Sequence, residues 1–324
     1  DGHIVGLYFG PLPTENVTGW SAPAYAVVGN FREIAVTVAH GVWHLPGTLT
    51  IPNGKGPFPA VVLVPGSPPL DQDATVGPNK IFKDIAFGLA SRGIAVLRYT
   101  KRTHQAGGGL GSRFASFSLK DELNDDARAA ISLLAGRDEI DHRRVYVVGH
   151  SMGGIATIQI AANDSNVAGI AVMGTPSGEL LTVLLGRVES MGPEGRPDSE
   201  TLTKMRNGES VGDVVSLFGQ KSPASYLMDV GKFAPGAAAA KLKMPILVMV
   251  AGHDRQVPDD LDSWKKALGG HANATVRFYA GLFHLFMPSS ATGRGDVPED
   301  WGRPGHVSPE VVEDIASWVV SARH

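Results

Sequence analysis

The sequence predicts an α/β fold: a mostly parallel, twisted sheet with helices on both faces. Two observations carry the prediction. From residue 60 onward, apolar and β-branched runs of five to eight residues alternate with helical patterns, as in βαβ units whose strands are covered on both sides. One such run, 145–148, leads directly into Gly149-His150-Ser151-Met152-Gly153 and a helix opening at 155–162, a strand, a tight turn and a helix in succession. At 324 residues the chain has room for one large domain with an insertion, or for two ordinary domains.

Taken in order, residues 3–10 (HIVGLYFG) read as a strand whose neighbour lies upstream of Asp1, so the chain is expected to be processed or truncated. Residues 11–30, rich in Pro, Gly, Ser and Thr, read as a linker crossing the surface, and 1–30 together as the remnant of an upstream domain. Segments 31–40 and 43–51 are β-patterned and joined by a short turn at Gly41, hence an antiparallel hairpin, which 52–59 breaks. The alternation then runs strand 60–64, helix 80–91, strand 94–99, helix 119–135 with acids in its first turns, the turn at Ser151, and strand 167–174. It resumes with strand 245–252, helix 259–268, strand 275–280 and an amphipathic helix over 309–322. The core is therefore expected to comprise 31–174 and 244–324.

Between them, 175–243 carries short helical patterns at 179–190, 199–207, 211–218 and 224–231, broken by Pro193, Pro197, Pro223 and Pro235. A helical insertion between core strands suits a lid; a peripheral helical layer is the other reading. Its apolar residues Leu217, Phe218, Tyr226 and Met228 either line an acyl pocket or pack on one another.

A formal charge of −3 without a basic block argues against nucleic acid as a partner. No apolar run approaches the roughly 18 residues of a membrane span. The absence of cysteine removes disulfides, thiolate catalysis and Cys-ligated metals.

The chemistry converges on Ser151. A serine at the apex of a strained strand-to-helix turn brings neighbouring backbone so close that the positions two before and two after it must lack side chains, which G-x-S-x-G satisfies. Its hydroxyl becomes a nucleophile when a histidine takes the proton and a carboxylate holds that histidine, in the chain order Ser, acid, His. Asp254 follows the strand 245–252 immediately, whereas Asp259, Asp260 and Asp262 fall where a helix begins and acids cap. His284 follows the next strand, thirty residues past Asp254. His253 adjoins the acid, His306 sits where it could cap the last helix, and His150, the x of the turn, is expected to point away from the serine's side. In the loop Pro65-Gly66-Ser67-Pro68-Pro69 only Gly66 and Ser67 retain an N–H, so the oxyanion donors are expected to be Ser67 and Met152. Asn79, Lys80 and Arg102 should lie on the same side, contacting substrate or bracing loops. The glycines at 107–109 lack a dinucleotide-binding context and read as a loop.

VVLVPGSPPLDQDATVGPNKIFKDIAFGLASRGIAVLRYTKRT, GHSMGG, AGHDRQVP and GLFHLFMP together resemble the α/β-hydrolase superfamily, and within it the dienelactone-hydrolase-like bacterial carboxylesterases. The resemblance implies the α/β-hydrolase fold and hydrolysis of small to medium carboxylic esters with no metal or organic cofactor. It implies Ser151 as nucleophile, Asp254 as acid, His284 as base, and Ser67 and Met152 as oxyanion donors. Beside it, the residues themselves offer His150, Asn79, Lys80, Arg102, Phe218 and Tyr226 as substrate-contact candidates. Two positions depart from the group. Pro65-Gly-Ser-Pro-Pro69 stands where His-Gly-Ser-Gly-Pro is usual, and Thr100 where an aspartate is usual, so any ion pair of Lys101 and Arg102 must be made differently. A peptidase or thioesterase on the same fold, and a non-catalytic binding module, are the rival readings.

Overall fold

The computed structural model describes residues 19–107, 116–218, 220–257, 260–293 and 295–322. The expected strand at 3–10, Gly108 and Gly109, and Asp259 lie outside them.

Eight strands form one sheet: β1 (Phe31–His40), β2 (Trp43–Pro52), β3 (Phe58–Val64), β4 (Ala95–Tyr99), β5 (Ile140–His150), β6 (Gly169–Met173), β7 (Ile246–Ala251) and β8 (Ala274–Tyr279). Their spatial order is β1-β2-β4-β3-β5-β6-β7-β8. The β1–β2 and β2–β4 pairs are antiparallel and all others parallel. Strand side chains alternate between two cores, as a period of two requires. On β3, Ala60, Val62 and Val64 face one core and Val61 and Leu63 the other; on β5, Val145 and Val147 oppose Tyr146 and Val148. Helices α1 (Ile81–Ala90) and, at the C-terminus, α8 (Pro309–Ser321) cover the second core. Helices α2 (Asp125–Ala135), α3 (Met152–Ala161) and α7 (Asp260–Leu268) cover the first. Among the described residues no helix is long and apolar enough to cross a membrane.

Residues 175–243 hold α4 (Leu180–Ser190), α5 (Arg196–Asn207) and α6 (Ala224–Gly231). The expected helix at 211–218 is instead half of a hairpin, Val214–Leu217 against Gln220–Pro223. Exposed and buried residues alternate along Val214–Leu217, and Gly212 at φ 82° interrupts any helical run. Leu217 and Tyr226 pack into the first core, so these apolar residues satisfy one another.

The described part of the expected surface linker is anchored. Trp20 packs edge-on to Phe87 and donates Nε1–H to Asp84 at 2.8 Å, and the Tyr25 hydroxyl donates to the Val307 carbonyl at 2.9 Å. Two large aromatics in a Pro/Gly-rich stretch gain more by burial than by solvation. His306 does not cap α8, whose N-cap is Ser308; its ring meets Asp84 at 3.1 Å.

Arg98 on β4 is buried, binding Asp73 at 2.9 Å, Thr50 at 2.6 Å and Glu33, and so ties β1, β2 and the loop after β3 together. Against the upward push of burial, Arg98 and Lys80 hold the Asp73 carboxyl below the usual carboxylate range. Removing one member of such a group strands the other in the interior. Arg98→Ala is expected to lower unfolding free energy by about 3–5 kcal/mol, measured by urea denaturation; a change under about 1 kcal/mol would show that Asp73 finds water instead.

Candidate active site

Ser151 stands between β5 and α3 at φ 55°, ψ −122°, a region that non-glycine residues rarely occupy. The surroundings impose it. Ser151 N–H donates to the Met173 carbonyl at 2.7 Å, and the Ser151 carbonyl accepts from Gly154 N–H at 2.9 Å and Thr175 Oγ1 at 3.0 Å. A Cβ at position 149 would stand 2.3 Å from the Gly153 carbonyl oxygen, and one at 153 only 2.2 Å from that of Val64. The glycines of the turn are therefore steric necessities.

Asp254 lies past the end of β7 and His284 past the end of β8, both buried. His284 Nδ1 is 2.7 Å from Asp254 Oδ2, while Asp254 Oδ1 accepts from the N–H groups of Gln256 and Val257 at 2.8 and 3.1 Å. These bonds orient the carboxylate before it meets the ring. A carboxylate on Nδ1 places the imidazole proton there and leaves Nε2 as the basic nitrogen. Ser151 and His284 line one cavity, together with Ser67 and Met152.

His150 does not point away from this cavity but lines it. Its ring lies 4.7 Å from that of His284, and Nε2 is 2.9 Å from the His284 carbonyl oxygen. A carbonyl only accepts, so His150 carries its proton on Nε2. Burial, then the neighbouring His284, lower its pKa to about 3, so it is neutral at physiological pH. Trp301 stacks on His284 at 6.1 Å and donates its indole N–H to Asp296 at 3.0 Å.

The other substrate-contact candidates do not line the cavity. Asn79 donates to the Arg303 carbonyl and accepts from Gly305 N–H; Lys80 pairs with Asp73 at 3.0 Å; Arg102 grips Asp126 with two bonds of 2.8 and 2.5 Å. Each braces a loop, because a buried polar group takes its nearest complement. Phe218 lies under the Arg187 guanidinium at 5.1 Å, and the Tyr226 hydroxyl donates to Glu122 at 2.6 Å. Asp260 does begin α7, but its carboxylate accepts from Ser177 N–H at 2.7 Å and Ser177 Oγ at 2.5 Å, and burial pushes its carboxyl up to about 6. Lys101 and Arg102, without an aspartate at position 100, pair with Glu122 and Asp126.

Sequence reading missed much of the apolar wall. Leu180, Val183 and Leu184 on α4 line the cavity, as do Val257, Leu285 and Trp301. Their 1, 4, 5 spacing in 179–190 was the available signal: it defines one helix face, though not what that face covers. Gln256 and Arg187 are polar groups on the same lining.

Residues 61–294 match the alpha/beta hydrolase family. Over 326 aligned residues the chain is 36% identical to esterase EstD of Thermotoga maritima, an alignment covering 99% of this chain and 74% of that protein. Among solved structures, Est1E of Butyrivibrio proteoclasticus with bound ferulic acid superposes with a TM-score of 0.59 at 14% identity, over 89% of this chain and 99% of that one. A dienelactone hydrolase of Anabaena variabilis does so with a TM-score of 0.55 at 18% identity, over 91% and 100%. A sheet in this strand order, a serine in a left-handed turn at its carboxyl edge, and a family match spanning most of the sheet lead to one conclusion: the chain belongs to the alpha/beta hydrolase family.

Proposed function

We propose that this chain is a serine carboxylesterase acting on small to medium carboxylic esters through an acyl-enzyme, with Ser151, His284 and Asp254 as its triad. The observation that carries the reading is the 2.7 Å contact of His284 with a carboxylate already oriented by two backbone N–H groups, on the cavity that Ser151 lines. The name of the EstD relative, an esterase 36% identical over 99% of the chain, supports it.

In the proposed reaction the Ser151 hydroxyl attacks the ester carbonyl as its proton passes to His284 Nε2, and the tetrahedral oxyanion accepts from the N–H groups of Ser67 and Met152. The imidazolium, stabilised by Asp254, returns the proton to the departing alcohol. Water then attacks the Ser151 ester with His284 again as base, and the carboxylic acid leaves. A neutral His150 suits this cycle, since a second imidazolium beside His284 would oppose its protonation.

We further read 175–243 as a cap over this site. The face of α4 carrying Leu180, Val183 and Leu184 supplies an apolar wall for the acyl chain.

Ser151→Ala is expected to lower kcat on a nitrophenyl ester by at least about 10⁴-fold and to abolish both the phenolate burst and fluorophosphonate labelling, and Asp254→Asn to lower kcat by about 10³- to 10⁴-fold. A retained rate in Ser151→Ala would overturn the triad, while a peptidyl anilide cleaved faster than the ester would overturn the substrate class.

The His150 environment sets a pH dependence. Its folded pKa of about 3 lies below the ordinary 6.5, so the unfolded chain binds the extra proton between these values, and stability falls as pH drops through that window. Compared with His150→Gln, the wild type should lose up to about 1.4 kcal/mol more per pH unit below pH 6.5. Urea midpoints at pH 7, 6 and 5 read the difference, and parallel lines for the two proteins would refute the assignment.

A further inference from the structure

Lys101 is buried beneath the loop that follows β3, and its ammonium is fully satisfied. Nζ donates to the Gly66 carbonyl at 2.9 Å and the Pro68 carbonyl at 3.1 Å, and pairs with Glu122 Oε1 at 2.7 Å. Three donors meet three acceptors. The backbone N–H of Lys101 also donates to the Leu70 carbonyl at 3.0 Å. The carbonyls of Gly66, Pro68 and Leu70 are thus all held from the side of Lys101.

The Gly66 bond has a directional consequence. The Gly66–Ser67 peptide is not among the cis bonds, and in a trans peptide the C=O and the following N–H point in opposite directions. A cation fixed on the Gly66 oxygen therefore fixes the direction of Ser67 N–H, and by polarising the amide strengthens it as a donor. This peptide adjoins the serine: a Cβ at Gly66 would lie 2.9 Å from Ser151 Cβ and 3.5 Å from Ser151 Oγ. Burying an ammonium costs several kcal/mol before its partners offset it, so an apolar side chain would serve packing alone at least as well.

The network continues outward. Glu122 sits in a π-helical turn, Lys120–Asn124, that introduces α2; such turns re-aim side chains at functional sites. Its Oε2 accepts from the Tyr226 hydroxyl on α6 at 2.6 Å. Lys101, Glu122 and Tyr226 form a buried chain of charge-assisted bonds from the 175–243 segment to the loop beside Ser151.

We propose that Lys101 is a positioning residue for the oxyanion hole: it orients and polarises the Gly66–Ser67 amide, and Glu122 and Tyr226 make that orientation depend on the 175–243 segment. The proposal rests on the ester-hydrolase reading above. Lys101 touches no substrate; it acts through one peptide unit.

The test is a comparison of ground-state and tetrahedral-state recognition. In Lys101→Met, kcat on nitrophenyl butyrate should fall about 10- to 100-fold with KM within about 2-fold, since the loss is confined to the transition state. The inhibition constant of a trifluoromethyl ketone of matching acyl length should weaken by the same factor as kcat/KM, while that of the corresponding alkyl ether, which forms no oxyanion, stays within about 2-fold. Tyr226→Phe should fall on the same line with a smaller loss of about 3- to 10-fold. A folded Lys101→Met with unchanged kcat, or one whose ketone and ether affinities fall equally, would overturn the proposal. If that variant does not fold, as judged by circular dichroism, Glu122→Gln and Tyr226→Phe carry the test, and unchanged kcat and ketone affinity in both overturn it. Fluorophosphonate labelling of wild-type Ser151 separates the two claims. Absent labelling defeats the ester-hydrolase reading, whereas a labelled wild type with an unaffected Lys101→Met defeats the positioning role alone.

Discussion

Everything at the carboxyl edge of the sheet depends on one backbone distortion, the left-handed conformation of Ser151 between β5 and α3. A strained residue persists only where its surroundings over-determine it. Here Ser151 N–H is held by β6, its carbonyl by Gly154 and Thr175, and the flanking glycines sit against backbone that tolerates no side chain. The parallel sheet supplies the rigidity: β5 lies between β3 and β6, so the turn is clamped from both sides. The same turn starts α3 at Met152, so the cavity that Ser151 and Met152 line lies at a helix N-terminus, which favours negative charge.

A second theme is buried charge used as a fastener. Arg98 pairs with Asp73 and Glu33, Lys101 with Glu122, and Arg102 with Asp126, all three bases lying at or just beyond the end of β4. Each reaches a different element: the edge hairpin and the loop after β3, the π-helical turn, and α2. Ion pairs of this kind contribute less to net stability than well-packed apolar groups of similar volume. What they do provide is direction, because an ammonium or guanidinium satisfies its partners only in a narrow set of geometries. Loops beside a reaction centre need direction more than they need burial energy.

Much of this was legible in the sequence. The parallel strands are short β-branched runs, and the hairpin 31–51 and the helices at 81–90 and 224–231 follow their periodicities closely. Reading failed where local pattern and tertiary demand diverged. Val214–Leu217 contains residues compatible with either state, and pairing with Gln220–Pro223 decided for strand. The stretch before Phe31 looked like a linker because its glycines and prolines outnumber its aromatics, yet Trp20 and Tyr25 anchor it on the far side of the sheet.

The chain order of Ser151, Asp254 and His284, each just past a strand end, is a property of the sequence alone, because strand ends of a parallel sheet share one edge whatever the loops do. Which polar residues reach the cavity was settled only by folding. Asn79, Lys80, Arg102 and Tyr226 carry the same chemistry as site residues, but each meets a complement first: the backbone of Arg303 and Gly305, then Asp73, Asp126 and Glu122, the last three buried. Apart from Asp73, seven residues before Lys80, those complements are 24 to 226 residues away along the chain, a separation over which no local pattern carries information and only packing can bring two groups together.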